Sequence, residues 1–273
     1  MKNSASEFAE VNRSDILDRV RDILAQGGIE NAWTETRWVV EAARDEEHAV
    51  ELARRRASGE PLQYLTGIAG FRHIELAVGP GVLVPRPETE LVTEYAISLL
   101  PSNGTVVDIG TGSGAIALAI ASERADAKVY ATELSPEALR WAEKNKAALG
   151  LGIVLLEGDL FDPIPLELKG SFDVCVSNPP YVAESERELL PPEVIDHEPH
   201  EALFAGDGLS VIGRIAEQSF EWLVAGGWLV LEINEARDKD VAELFSRLGF
   251  IEVAIQRDLT GRPRIALGRK PRV

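Results

Sequence analysis

The sequence predicts an α/β protein in which a large domain on a mostly parallel sheet follows a small helical domain. Three observations carry this. Apolar runs around Val106-Val107, Val129-Tyr130-Ala131 and Val174-Cys175-Val176 are each bounded by helix-period patterning or turn residues, the alternation of a βαβ chain. These runs are apolar on successive residues, as in strands covered on both faces. The first 58 residues or so carry helical patterning alone. With 273 residues, 45% of them hydrophobic, the chain can bury one large core and a smaller one.

In residues 14–58, Ile16, Leu17, Val20, Ile23 and Leu24 recur at helical spacing, and Gln26-Gly27-Gly28 supplies a stop. Trp33, Trp38, Val39 and Ala42 continue the pattern, followed by Val50, Leu52 and Ala53. The triplet Arg54-Arg55-Arg56 reads as a solvated helix C-terminus whose cations complement the dipole, with a contact for an acidic partner as the other reading. Gly59-Glu60-Pro61 breaks the helix. Residues 62–67 and 71–84 alternate like strands around Gly70 and Gly79-Pro80-Gly81, which predicts a connecting hairpin. The expected division is a helical domain 1–70, a hairpin linker 71–85 and a sheet domain 86–273.

Pro85-Arg86-Pro87-Glu88-Thr89-Glu90 is stiff at its prolines and opens a helix. It either starts that helix and no more, or holds Arg86 and Glu88 over a cleft. Residues 105–109 form a strand that ends in Gly110-Thr111-Gly112-Ser113-Gly114, with a helix over 115–122. Glycines let backbone approach a ligand closely, and a helix start offers free N–H groups to a carboxylate or phosphate. The same spacing satisfies a dinucleotide fingerprint, so the loop alone selects no cofactor. Strand 128–133 ends in Glu133, where an acidic residue accepts ribose hydroxyls. Ser135-Pro136 gives an N-cap and a first-turn proline to a helix that stops at Gly150. A third strand, 153–156, leads to Asp159 and Leu160, an adenine contact or a plain turn.

The fourth strand runs into Asn178-Pro179-Pro180-Tyr181. Two prolines stiffen the segment, so Pro179 offers only a carbonyl beside the Asn178 amide, with an aromatic face at Tyr181. Two acceptors and a flat surface suit a planar NH2 group; the other reading is a strand end closed by a Pro-Pro turn. Residues 182–208 read as a long irregular loop. His197 and His200 lie there without a metal-ligand pattern, so no metal site is expected. A helix over 211–224, a turn at Gly226-Gly227, a strand over 228–233 and a helix over 241–248 follow. Strands 251–255 and 264–268 are joined too tightly to be anything but antiparallel.

Composition narrows the function classes. Forty-five acidic against 28 basic residues give a net charge of −17, the reverse of the usual nucleic-acid binder. No apolar run approaches the ~20 residues of a spanning helix, and residues 1–7 lack an apolar signal region. The lone Cys175 sits inside a strand and reads as core packing. The expected location is cytoplasmic, without nucleic-acid or membrane partners.

Taken together, residues 110–114, Glu133 and a seven-strand order closing on an antiparallel hairpin resemble a class I S-adenosylmethionine-dependent methyltransferase with a Rossmann-like sheet. Asn178-Pro179-Pro180-Tyr181 is similar to the motif of enzymes that methylate planar amino groups. Gly59-Glu60-Pro61 with Tyr64-Leu65-Thr66-Gly67, residues 84–90, Glu198-Pro199 with Ala202-Leu203, residues 206–209 and residues 258–264 resemble the PrmC/HemK family. Its members are protein-(glutamine-N5) methyltransferases acting on the Gly-Gly-Gln glutamine of peptide chain release factors. The resemblance covers nearly the whole chain after Arg54, with Leu160 standing where many members carry Trp. It implies S-adenosylmethionine held by Gly110, Thr111, Gly112, Ser113, Gly114, Glu133, Asp159, Leu160 and Asn178. It also implies catalysis by Asn178, Pro179 and Tyr181, a substrate site of these with Pro180, Arg86 and Glu88, and recognition of the release factor by the helical domain. An adenine-specific DNA methyltransferase would share the tetrapeptide but would need a base-flipping surface. A nicotinamide oxidoreductase would share only the glycine loop, and a binding module with a vestigial pocket would be expected to have lost one of Gly112, Glu133 or Asn178, none of which is lost.

Overall fold

The computed structural model describes residues 4–272, with side chains from residue 14 on. It divides into two compact units. The first runs to Ile68 and takes in Val78–Pro80 and Pro191–His197. Its helices are α1 (Ser4–Gln26), α2 (Ala32–Ala42), α3 (Glu46–Ala57) and α4 (Leu62–Thr66). Val20, Leu24, Val39, Ala53 and Leu62 form its buried centre, the apolar faces that the helical spacing predicts. Asp45 caps α3 by accepting from the His48 amide at 2.8 Å.

Two expectations change here. Residues 62–66 are helical rather than a strand: Pro61 sits at the N-cap, and Gly67 ends the turn in the left-handed region at φ 76°. The basic triplet is not uniformly solvated. Arg56 is buried, bonding Glu35 at 2.6 Å, Glu193 at 2.8 Å and the Glu60 carbonyl at 3.1 Å, while Arg55 pairs with Glu60. Such a buried cation is stable only because its guanidinium fork is occupied on every side.

The second unit comprises Ala69–Ala77, Gly81–Leu190 and the residues from Glu198 on. Strands β1 (Ile68–Phe71) and β2 (Ile74–Ala77) pair with each other. Then come α5 (Pro87–Leu99), β3 (Thr105–Ile109), α6 (Ala115–Glu123), β4 (Lys128–Glu133), α7 (Pro136–Leu149), β5 (Val154–Glu157) and β6 (Phe172–Ser177). Residues 182–208 are not an irregular loop: they carry a 3-10 helix over Glu184–Leu189 and the short helices α8 (Pro192–His197) and α9 (His200–Leu203). Prolines at residues 191, 192 and 199 restart helix after each break. The chain closes with α10 (Ser210–Trp222), β7 (Leu223–Glu232), α11 (Asp238–Arg247), β8 (Ile251–Arg257) and β9 (Pro263–Arg269).

The seven strands lie in the order β5-β4-β3-β6-β7-β9-β8. All neighbours are parallel up to β7, whereas β9 runs antiparallel to both β7 and β8. Val106, Val174, Val176 and Val230 face one core, and Val107, Cys175, Leu229 and Leu231 face the other. This two-sided burial is what the uninterrupted apolar runs encode. Gly226-Gly227 is no turn but an irregularity inside the ten-residue β7, where the pairing jumps from Phe172 with Leu223 to Val174 with Trp228. Gly226 has φ +86°, and a Cβ on Gly227 would meet three backbone oxygens at 3.1 Å. No helix among the described residues is long and apolar enough to cross a membrane.

Asp108 on β3 stands level with Ala131 of β4 and with Val176 of β6, so the three following loops begin at one edge of the sheet. Between β3 and β6 the strand order reverses, and ligands of such sheets bind beyond the carboxyl ends at that point.

Candidate active site

A cavity of about 580 Å³ lies at that edge, within the range of small-molecule sites. Its wall includes Gly110, Thr111, Gly112 and Ser113 after β3, Glu133 at the end of β4, Asp159 and Leu160 after β5, and Asn178, Pro179 and Pro180 after β6. Four strand ends therefore deliver nearly every residue that the motifs single out.

The glycine loop is shaped by its own hydrogen bonds. The amides of Gly110 and Thr111 both donate to the Thr132 carbonyl, Gly114 donates to Thr111, and Gly112 donates to Glu133 Oε2 at 2.8 Å. Four of its five amides are thus committed inside the chain. The loop amides therefore hold the turn itself, and the expectation of free N–H groups concerns the start of α6 at Ala115. No protein atom lies within 4 Å of a Cβ built on Gly110, whereas one on Gly114 would strike Leu118 at 2.8 Å. The first glycine leaves room toward the cavity, and the last permits close packing of the helix.

Glu133 is nearly buried, and its second oxygen accepts from the Ser135 amide at 2.9 Å. Burial pushes its carboxyl upward, with Glu201 adding to the rise and the backbone donors opposing it. Asp108, fully buried beneath the loop, is pushed by burial to about 7 while Thr111 donates to it at 2.6 Å. The cationic residues of the wall are occupied: Arg86 pairs with the buried Glu198 at 2.6 Å and Arg214 with Asp159 at 2.5 Å. Among the described residues no cation pairs with Glu133 or Glu201 in this way, so the wall favours a ligand with positive charge. Together with the open Gly110 position and the apolar Leu134 and Leu160, these groups fit S-adenosylmethionine better than a dinucleotide phosphate.

At the end of β6, the Asn178 side-chain nitrogen donates to Thr89 Oγ at 3.0 Å. Thr89 donates in turn to Glu232 Oε2 at 2.6 Å, and the Tyr181 hydroxyl donates to Glu232 Oε1 at 2.9 Å. Burial drives Glu232 upward while Thr89, Tyr181 and Arg264 oppose it; burial also raises Tyr181, seconded by the Glu232 charge. Three predicted site residues, Gly114, Tyr181 and Glu88, are not among those that line the cavity. Tyr181 is absent from the cavity wall because its hydroxyl is anchored on Glu232 and its ring packs into the core beneath. Glu88 is exposed on the first turn of α5; one residue further round the helix, Thr89 faces the site.

Comparison with known proteins follows the same lines. A family model described as the methyltransferase small domain matches residues 89–214. The release factor glutamine methyltransferase of Geobacter sulfurreducens is 38% identical, over 93% of this chain and 95% of its own. The protein of that name from Streptomyces coelicolor is 43% identical over 81% and 79%. Among solved structures, a methyltransferase from Pyrococcus furiosus is 22% identical with a TM-score of 0.55, over 72% of this chain and 88% of its own. The hMettl16 catalytic domain, crystallised with a MAT2A 3′UTR hairpin, is 18% identical with a TM-score of 0.60, over 82% and 81%. At those identities the two structures share the fold.

Proposed function

The chain belongs to the release factor glutamine methyltransferases, and from that premise we propose that it methylates the side-chain nitrogen (N5) of the glutamine in a release factor's Gly-Gly-Gln motif, with S-adenosylmethionine as donor. One observation supports this choice of acceptor above all. The Asn178 nitrogen gives one of its two N–H groups to Thr89 and the residue lines the cavity; with that end anchored, the carbonyl oxygen Oδ1 is the acceptor assigned to the substrate amide.

When bound, S-adenosylmethionine supplies an electrophilic methyl on a cationic sulfur. Gly110, Thr111, Gly112 and Ser113 would hold its methionine part, Glu133 its ribose, and the Asp159-Leu160 segment its adenine. An amide nitrogen is a weak nucleophile because its lone pair is delocalised, so placement matters more than a strong base. Asn178 Oδ1 and the Pro179 carbonyl accept the two N–H groups of the substrate and fix the plane of its amide. Both would also stabilise the positive charge that grows on nitrogen as its bond to the methyl forms and the bond from the methyl to sulfur breaks, the surplus N–H proton then leaving to solvent. Pro180 closes the wall behind them and Arg86 marks its rim.

A DNA adenine base would offer a similar NH2 group, but 45 acidic against 28 basic residues provide little for a phosphate backbone. A glutamine side chain alone is too small to be chosen among all exposed glutamines, so contacts elsewhere on the factor must contribute. The helical unit and residues 182–208 are the surfaces assigned to that recognition. Transfer of labelled methyl to an intact release factor should exceed transfer to a short Gly-Gly-Gln peptide by at least ~10²-fold in kcat/KM, because the peptide lacks the remote binding energy. Equal rates would remove the recognition role from both surfaces, and no label in the intact factor would contradict the function.

A further inference from the structure

A primary carboxamide has two nearly isosteric ends, one an acceptor and one a donor. Turned over, Asn178 would present an NH2 group to the substrate's own NH2, and the acceptor pair would be lost. Something in the chain must therefore set the flip. Resting on the function proposed above, we infer that Thr89 and Glu232 are positioning residues that hold Asn178 with its oxygen toward the substrate and so make the site select an amide.

A threonine hydroxyl has one hydrogen. Here that hydrogen is committed to Glu232 Oε2 at 2.6 Å, which leaves the hydroxyl oxygen able only to accept. An N–H alone complements it, and Asn178 provides one at 3.0 Å. The direction of the chain is fixed from its buried end, because both Glu232 oxygens accept and neither donates. Glu232 takes its second bond from Tyr181, so one carboxylate at the end of β7 holds Tyr181 directly and Asn178 through Thr89. The three elements involved are α5, β6 with its loop, and β7. Thr89 is set by α5 and Glu232 by β7, while Asn178 and Tyr181 lie just past the end of β6 and are fixed by these bonds. Glu232 is 1% exposed and Thr89 4%; Thr89 borders the cavity, but its hydroxyl hydrogen is bonded to Glu232 and its oxygen accepts from Asn178.

The inference separates Thr89→Val, which keeps shape and loses the hydroxyl, from Thr89→Ser, which keeps the hydroxyl. In the full chain, Thr89→Val should lower kcat on an intact release factor by at least ~10-fold with cofactor Kd within a few-fold, because the amide is mis-set rather than removed. Thr89→Ser should stay within about threefold of the parent chain, since the bond is restored. Thr89→Val should also lose much of the parent's preference for the factor carrying glutamine over one carrying glutamate at that position, measured as the ratio of binding constants. A readout without turnover accompanies these. The side-chain 15N–1H2 resonances of Asn178, assigned by their loss in Asn178→Asp, should exchange slowly in the parent chain and in Thr89→Ser, and fast in Thr89→Val. Equal exchange in all three, or equal kcat losses in Thr89→Ser and Thr89→Val, would overturn the inference. If the parent chain methylates no release factor, the proposed function falls, and the resonances still decide whether Thr89 sets the flip.

Discussion

Asn178→Ala should lower turnover on an intact release factor by at least ~10²-fold and leave S-adenosylmethionine affinity within a few-fold. The asymmetry follows from where its two ends go. One N–H of the nitrogen is bonded to Thr89 at 3.0 Å inside the chain, and in the proposed mechanism the oxygen accepts from the substrate amide. That bond strengthens as positive charge develops on nitrogen, and an interaction stronger in the transition state than in the ground state appears in kcat. A hundredfold loss corresponds to about 2.7 kcal/mol, the loss expected of one aligned charge-stabilising group in a dry site. Calorimetry for the cofactor, beside steady-state rates on the factor, separates the two quantities. Parallel losses in cofactor binding and turnover would move Asn178 out of the substrate site.

Glu133→Ala should act the other way, weakening the cofactor by about 1 to 3 kcal/mol with a smaller change in kcat at saturation. Two effects combine. The carboxylate is the cavity's acceptor at the end of β4, and it also pins the glycine loop through Gly112 and the start of α7 through Ser135, at 2.8 and 2.9 Å. Removing it deletes a ligand contact and frees two backbone donors in a buried place. Glu133→Gln sharpens the test: its NH2 group must face one of those two backbone N–H groups, so it should resemble Ala more than Glu. A Gln variant with the parent's cofactor Kd would show that the carboxylate's acceptors are not needed.

Much of this site was legible from local sequence because its residues follow strand ends directly. Gly110 to Ser113, Glu133, Asp159, Leu160 and Asn178 to Pro180 each come within a few positions of a run apolar enough to mark a buried parallel strand, and the topology brings those ends together. What the sequence could not reveal depends on long-range pairing. Thr89 and Glu232 lie 143 positions apart; the only local hint was a carboxylate at the close of an otherwise apolar strand. Tyr181 was misplaced for the same reason, since its partner is that carboxylate. Arg56 passed for a solvated cation because Glu35 and Glu193 meet it only in the folded unit. Residues 62–66 were misread as strand because five residues hold too few turns for either period to declare itself.

Locating the transferred methyl by mass spectrometry tests the central claim most directly. An intact release factor is incubated with the full chain and S-adenosylmethionine, digested, and its fragments sequenced. The account predicts one added methyl group, on the side-chain nitrogen of the Gly-Gly-Gln glutamine, and none when Asn178→Ala replaces the parent chain over the same time. A methyl on any other residue, or the same modification at an unchanged rate with Asn178→Ala, would contradict it.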